Sequence, residues 1–412
     1  MKQMNTIAIV GAGPAGLTAA IAAAQSGIPA VIYEHSSHLP QIGAGFLIHS
    51  NGLRVLDSLQ LLERFLPDIN LTQNMKTELN SGETITHFDY SSMSIPHNHG
   101  AVILREHLRG KLFEAAIEAG VTFKFGHTCV NLEINAQGCR LEFANGSEAQ
   151  HSVVLACDGV NSKIRQLSGV RAKIVPADYV TFAGISTNGT DQHCTHEIWS
   201  KDGGYFGICP LPGNRSFFYS RGADINDDSD RANQTWAQRW SKDNAVVAKV
   251  LEGTDLNALV KTQFREVWLE KWHKGPIFFL GDAAHAMKPN LGQGANSSMV
   301  DALVLTRLIA ENIQDDFDAE SVGKTYQKIR KPYVSKLQLL SRMIDTARGT
   351  DNKIFCSARN SILQTSQLLK WPNNFVMNLV AGYNPQENEW FSSQTKQKHT
   401  TFFRHQTSIS SA

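Results

Sequence analysis

No run of about 18 consecutive apolar residues occurs in this chain, so it offers no transmembrane helix. Charge of one sign is missing as well: 39 Lys and Arg stand against 38 Asp and Glu, a formal net charge of +1. No global field draws such a chain to nucleic acid or to an anionic membrane. Cysteine is sparse, and the six present (Cys129, Cys139, Cys157, Cys194, Cys209, Cys356) form no Cys-x-x-Cys pair. No His cluster at metal spacing accompanies them. They read as reduced core residues of a cytoplasmic protein, which argues against a structural metal, a disulfide framework or a catalytic thiol. Lys2 and the apolar residues after it superficially fit a signal peptide. However, the run Thr6 to Val10 is short and enters a glycine motif with Pro14, as the first strand of a mature domain would. What is there is ordinary for a soluble globular protein, 42% hydrophobic and 19% charged over 412 residues, long enough for two domains.

The first informative segment is a strand, a glycine turn and a helix. Thr6 to Val10 is a buried-strand run followed by Gly11, Gly13, Pro14, Ala15 and Gly16, then a small-residue stretch from Leu17 to Gln25 ending at Gly27. A second apolar run, Ala30 to Tyr33, ends in Glu34. Each position has a role in holding a dinucleotide. Gly11 permits a tight turn, Gly13 lets the backbone approach a pyrophosphate, and Gly16 with Ala19, Ala20 and Ala23 brings the helix close to a sheet. The helix N-terminus offers free N–H groups to phosphate, and Glu34 can accept from ribose hydroxyls while repelling a 2′-phosphate. The motif alone does not separate NAD from FAD.

Two further segments narrow the choice. Val102 to Leu104 leads into Arg105 at a strand-to-helix junction, where an arginine could hold a diphosphate. Val153 to Cys157 is closed by Asp158-Gly159, with Ser162 as N-cap of a helix containing Arg165. Pro276 to Leu280 ends in Gly281-Asp282-Ala-Ala-His285. Pro289 and the glycine loop Gly292-Gln-Gly294-Ala295-Asn296 then precede a helix expected from about Ser297 to Ile309. Asp282 can hydrogen-bond a ribitol hydroxyl, and the helix dipole can stabilise an anionic reduced flavin. His285, behind the turn, reads as structural.

With these segments in place, the chain resembles the group A FAD-dependent aromatic monooxygenases of the para-hydroxybenzoate hydroxylase type, nearest the salicylate and 3-hydroxybenzoate hydroxylase and zeaxanthin epoxidase branch. Gly11 to Gly16 with Glu34, Gly43 to Gly45 with Asn51 to Leu56, Arg105, Asp158 to Arg165, and Gly281 to Asn296 with Asp301-Ala302 carry the likeness. Tyr326, Arg330 to Pro332 and Arg359-Asn360 extend it to about residue 365. The resemblance implies FAD as cofactor, with NAD(P)H as transient reductant. Oxygen would add at flavin C4a, and the hydroperoxide would hydroxylate a small aromatic or phenolic molecule. It also implies an adenosine-ribose role for Glu34, a diphosphate-ribitol contact for Arg105 and a backbone contact to adenine for Val130. Asp158 and Asp282 become cofactor ligands, and Pro289 borders the reactive edge. One departure stands out: His49-Ser50 occupies the place where many members carry a Pro before the Asn.

The implied fold is α/β: a Rossmann-like FAD domain (1–75, 100–178, 270–345), an interleaved, mainly antiparallel sheet domain for substrate (76–99, 179–269), and C-terminal helices with a polar tail (346–412). Strands are expected at 179–186, 197–199, 205–209 and 216–220, and helix from Trp236 to Leu259. Asn373 to Leu379 reads as a docking or partner contact, and the chain after about Pro385 as a mobile end. His49, Tyr205 and Pro289 are candidate catalytic residues, and His193 and His196 candidate bases for phenol deprotonation. The expected partner is a small molecule, with the chain a monomer or homodimer. An epoxidase, halogenase or reductase, and a non-catalytic flavin-binding regulator, remain alternatives; the Trp-x-Trp-x-Ile-Pro signature of flavin halogenases is absent.

Overall fold

The structure, a computed structural model, describes residues 6–39, 45–200, 204–222, 230–313, 317–350, 352–367 and 376–391. A six-stranded sheet carries the nucleotide motif, in the order His273–Lys274, Ile277–Phe279, Val153–Ala156, Ile7–Val10, Ala30–Glu34, Thr122–Phe125. All neighbours run parallel except the first pair. Cover on both faces explains the unbroken apolar runs: Ile7–Val10 and Val153–Ala156 are buried at every position. The helix Pro14–Gln25 starts with Pro at N1, where its missing N–H costs nothing, and stops at Gly27 with φ 72°. Ala19, Ala20 and Ala23 are wholly buried, so this helix lies close along the helix Gln293–Asn312.

A seven-stranded sheet is interleaved with that layer. Its order is Val260–Thr262, Thr181–Ser186, Arg215–Arg221, Tyr205–Leu211, Cys194–Trp199, Asn74–Leu79, Thr84–Asp89. Pairing is antiparallel except between Cys194–Trp199 and Asn74–Leu79, which are parallel. Alternation along these strands sorts their side chains. On the outer face Phe182, Phe206 and Phe218 pack under Trp236, Trp240 and Val247 of the helices Asp230–Asp243 and Ala245–Glu252. On the inner face Cys209, Leu211, Phe217 and Tyr219 meet Leu47, Val102 and Leu104 of a small sheet built from Gly45–Ile48, Gly100–Leu104 and Asn70–Thr72.

Three expectations change. The helix after the glycine loop begins at Gln293, because Gly292 at φ 61° makes the reversal alone and Asn296 Nδ2 donates to the Gly292 carbonyl at 2.7 Å. The chain stays folded beyond Pro385, through Asn388–Phe391, because Glu387 is buried against Arg330. Of the apolar stretch expected to dock a partner, residues 373–375 lie outside the described residues. Met377 and Leu379 are buried within this chain. Gly43 and the tail past residue 391 also lie outside the described residues.

Candidate cofactor and active site

The first glycine turn is built by close approach. Gly11 sits at φ 105° and donates its N–H to the Tyr33 carbonyl at 2.8 Å; a Cβ there would stand 2.5 Å from the Cys157 carbonyl oxygen. A Cβ on Gly16 would overlap the Gly11 carbonyl, so helix and turn touch through bare backbone. Gly13 differs: a Cβ there meets nothing within 4 Å. Its absence leaves room beside the helix N-terminus, where a phosphate would approach. Pro14 and Ala15 follow in the first helical turn. Glu34 closes the second strand with its carboxylate accepting from the Ala12 N–H at 2.8 Å and the Ser36 N–H at 3.0 Å. Val130 is exposed on Cys129–Asn135, a strand held to the Glu34 end by the His127 N–H, which donates to the Glu34 carbonyl at 2.9 Å.

Two arginine–carboxylate pairs lead from there to the second turn. Arg105 opens the helix Arg105–Glu118 with its guanidinium 4.6 Å over the Phe46 ring, and its buried Nε has no hydrogen-bond partner. Burial pushes its pKa down and the Asp282 charge opposes that shift. Arg109, one helical turn on, is also lowered by burial and opposed by Glu34. Glu34, Arg109, Arg105 and Asp282 therefore run acid, base, base, acid, with Arg109 near Glu34 and Arg105 near Asp282. Asp282 is exposed and has no hydrogen-bond partner among the described residues. Desolvation raises its carboxyl, against His285 and Arg105. An orphaned arginine nitrogen and an unengaged carboxylate between two glycine turns fit a group that brings phosphates and ribitol hydroxyls. Sequence reading missed Arg109, although its four-residue spacing from Arg105 on one helix face was the available signal.

The Asp158 motif has a mechanical role. Asp158 accepts from Ser162 Oγ at 2.5 Å and from the Ile164 N–H at 3.0 Å, while Ser162 Oγ accepts from the Arg165 N–H. Arg165, 3% exposed, then donates to the Val160 carbonyl at 2.7 Å and the Ala283 carbonyl at 2.8 Å. It ties the first aspartate turn to the second. Behind Asp282, His285 stacks on Trp272 at 4.8 Å and bonds Asp301, which also accepts from the Gly281 N–H at 3.1 Å and Arg330 Nε at 2.7 Å. Arg330 continues to Glu387. His285 is thus a buried strut, as its place behind the turn suggested.

The glycine loop at residues 292–296 is braced from the other side. Asn296 Oδ1 accepts from the His49 N–H at 3.1 Å, and its Nδ2 donates to the Leu47 carbonyl at 2.9 Å, so its amide is spent on the protein. Gly294 and Ala295 stand half-exposed in the first turn of Gln293–Asn312, with their N–H groups free of helical partners. A Cβ on Gly45 would meet the Phe217 ring at 2.5 Å, which fixes the spacing of loop strand and upper sheet. His49 is fully buried, bonds Tyr90 Oη through Nδ1 at 2.6 Å, and would lie 2.8 Å by Nε2 from a Cβ on Gly292. Burial takes its pKa down to about 4 against a backbone bond at Leu291, so the ring is neutral near pH 7.

Tyr205, on the upper sheet, lies 3.4 Å beneath the Arg348 guanidinium and keeps a buried Oη with no partner. Arg348 donates to Glu197 at 2.6 Å and bonds Asn290, the residue after Pro289. Tyr205 and Pro289 are brought together through that arginine. His196 pairs with Glu78 at 2.6 Å on the strand face opposite Glu197, and His193 is exposed, so neither joins this cluster.

A cradle of this kind, roofed by an interleaved sheet, is the architecture of the group A FAD-dependent monooxygenases, and the chain is an enzyme of that class. Its sequence matches the FAD binding domain family over residues 4–340, and it belongs to that family. It is 27% identical over 355 residues, 83% of this chain and 88% of the other, to a probable 2-heptyl-3-hydroxy-4(1H)-quinolone synthase of Rhodococcus erythropolis. It is 28% identical over 382 residues, 88% and 97% of the two chains, to a 2-heptyl-3-hydroxy-4(1H)-quinolone synthase of Mycobacteroides abscessus. Among solved structures, Klebsiella pneumoniae HpxO complexed with FAD and uric acid superposes with a TM-score of 0.76 at 21% identity, covering 91% and 97%. Among the described residues no group of His, Cys, Asp and Glu could hold a metal, and no helix is long and apolar enough to cross a membrane.

Proposed function

We propose that the enzyme uses NAD(P)H and O2 to hydroxylate an electron-rich aromatic ring, specifically a nitrogen heteroaromatic one. Arg105, whose Nε has no hydrogen-bond partner, and the Asp282 carboxylate beside it carry the reading of the cofactor site. The quinolone and uric acid named for the relatives support the ring class over a simple benzoate, the closest branch in the sequence reading. When bound, FAD supplies the redox chemistry: it takes reducing equivalents from NAD(P)H and delivers one oxygen atom of O2 to the ring.

The residues divide that work. Gly11, Gly13, Pro14, Ala15 and Gly16 hold the pyrophosphate, and Glu34 and Val130 the adenosine end. Arg105, Asp158 and Asp282 hold the diphosphate-ribitol stretch. Gly45, Gly292, Gly294, Ala295 and Asn296 shape the bed of the isoalloxazine ring, where the helix N-terminus stabilises negative charge. Cys209, Leu211, Phe217 and Tyr219 form an apolar roof that excludes water. Tyr205 Oη, buried without a partner beside Arg348, is the group left to hydrogen-bond a ring hydroxyl. Neutral His49 orients the Gly292 turn. The test is a screen of aromatic acids, phenols and hydroxylated N-heteroaromatics for stimulated NAD(P)H oxidation, with mass spectrometry for one added oxygen. A nitrogen heteroaromatic should give both signals. NAD(P)H oxidation that no ring stimulates would sink the reading.

A further inference from the structure

The chain is nearly neutral as a whole, but its charge is unevenly placed. From residue 321 to residue 367 nine Lys and Arg stand against two acids, Asp345 and Asp351. Arg330, Arg348 and Arg359 are buried, Arg342 pairs with Glu266, and Lys331 donates to the Glu270 carbonyl. Lys324 faces Glu320 at 3.3 Å, whereas Lys328, Lys336 and Lys353 are exposed with no carboxylate partner among the described residues. The same stretch holds five of the twelve large apolar side chains left exposed among the described residues: Leu339, Met343, Ile354, Phe355 and Ile362, 49% to 84% exposed. On the helix Ala319–Arg348, the positions 328, 336, 339 and 343 share one face by helical spacing. On the helix Lys353–Gln367, Ile354, Ala358 and Ile362 recur every fourth residue and are all exposed. The other side of that helix is committed inward. Arg359 donates to the Ala347 carbonyl at 2.7 Å and lies 4.7 Å over the Trp199 ring, and Leu363 packs on the cluster of Trp199 and Tyr205.

We propose that this face docks the enzyme on the surface of an anionic lipid bilayer. Single exposed apolar side chains need no explanation, but a group of them concentrated on two consecutive helices does. Apolar groups bounded by unpaired lysines suit a headgroup interface: the apolar groups enter the acyl boundary while the ammonium groups meet lipid phosphate. A second copy seated on the same face about a twofold axis would set lysine against lysine, with no exposed carboxylate there to offset the repulsion. Charge therefore selects lipid over a second copy. Docking places the bilayer against the helix that covers Trp199 and Tyr205 of the substrate sheet. The inference is independent of the ring that the enzyme oxidises.

The test sediments the FAD-loaded full chain with vesicles of phosphatidylcholine alone and of phosphatidylcholine mixed with phosphatidylglycerol at about three to one. The mixed vesicles should carry the protein down and the neutral ones should not, and salt at about 0.5 M should release it. Lys328→Glu with Lys336→Glu should weaken partitioning by at least about fivefold per site. Ile354→Ser with Ile362→Ser should weaken it by about tenfold or more. All four positions are exposed, so FAD content and the urea midpoint should stay those of the wild type in both variants. No sedimentation with the mixed vesicles, equal binding to the two compositions, or variants that bind as the wild type does would overturn the proposal. A dimer in light scattering that Ile354→Ser with Ile362→Ser dissociates would overturn it too, and would give the face to a second copy.

Discussion

Asp301→Ala should both destabilise the protein and loosen its cofactor. Asp301 is wholly buried and serves three partners: His285, Arg330 Nε at 2.7 Å and the Gly281 N–H at 3.1 Å. Truncation leaves Arg330, 1% exposed, with Glu387 as its remaining carboxylate and strands the Gly281 N–H. Removing one partner of a buried ion pair costs about 3–5 kcal/mol, a large part of a domain's roughly 5–15 kcal/mol. Gly281 sets the turn that presents Asp282, so FAD affinity should also fall by about tenfold, or roughly 1.4 kcal/mol. Urea unfolding followed by tryptophan fluorescence and titration of apoprotein with FAD read the two effects separately. Burial alone would raise the Asp301 carboxyl, but His285 and Arg330 outweigh it and hold it below the ordinary range. A depressed folded pKa gives stability that is present above the unfolded value and lost as pH falls through the folded one. The wild type should therefore carry an acid limb below about pH 4 that the variant lacks. A loss under about 1 kcal/mol, with FAD affinity unchanged, would refute the strut argument.

Asp282→Ala should release FAD while the far-ultraviolet spectrum is retained; tight stoichiometric FAD in that variant contradicts the ribitol assignment. Arg105→Met should weaken FAD by a similar route and flatten the salt dependence of its binding, read by titration at low and high salt. Gly16→Val, which drives side-chain atoms into the Gly11 carbonyl, should give apoprotein or no soluble protein at all. His151 bonds Thr6 Oγ1 at 2.7 Å and Tyr33 Oη at 2.8 Å, and burial takes its pKa down to about 4. That contribution is full above the unfolded value near 6.5 and is lost as pH falls toward about 4. His151→Gln should accordingly narrow the gap between urea midpoints at about pH 7 and about pH 5.

The cofactor half was legible because its chemistry is local. A strand, three glycines, a helix and a terminal acid sit within thirty-odd residues, and Gly11 and Gly16 are where backbone contact forbids a side chain. Asp158 was visible as a motif, yet its work with Ser162 and Arg165 was not, because the Ala283 carbonyl that Arg165 reaches lies 118 residues away in the chain. A still longer separation hid Arg348: nothing near residue 348 announces a guanidinium stacked on Tyr205 and bonded to Glu197, 151 residues away. Glu387 looked like part of a polar tail because its neighbours are polar, and only Arg330 explains its burial. The helix at Gln293 was placed late because glycines at 292 and 294 suggest loop, whereas one left-handed residue completes the turn.

The most direct test of the central claim is a single turnover of the reduced, FAD-loaded enzyme with heavy-isotope dioxygen and a ring compound that stimulates NAD(P)H oxidation. The account predicts one labelled oxygen atom in the organic product and the other in water. Label recovered only as hydrogen peroxide, with the ring unchanged, would contradict it.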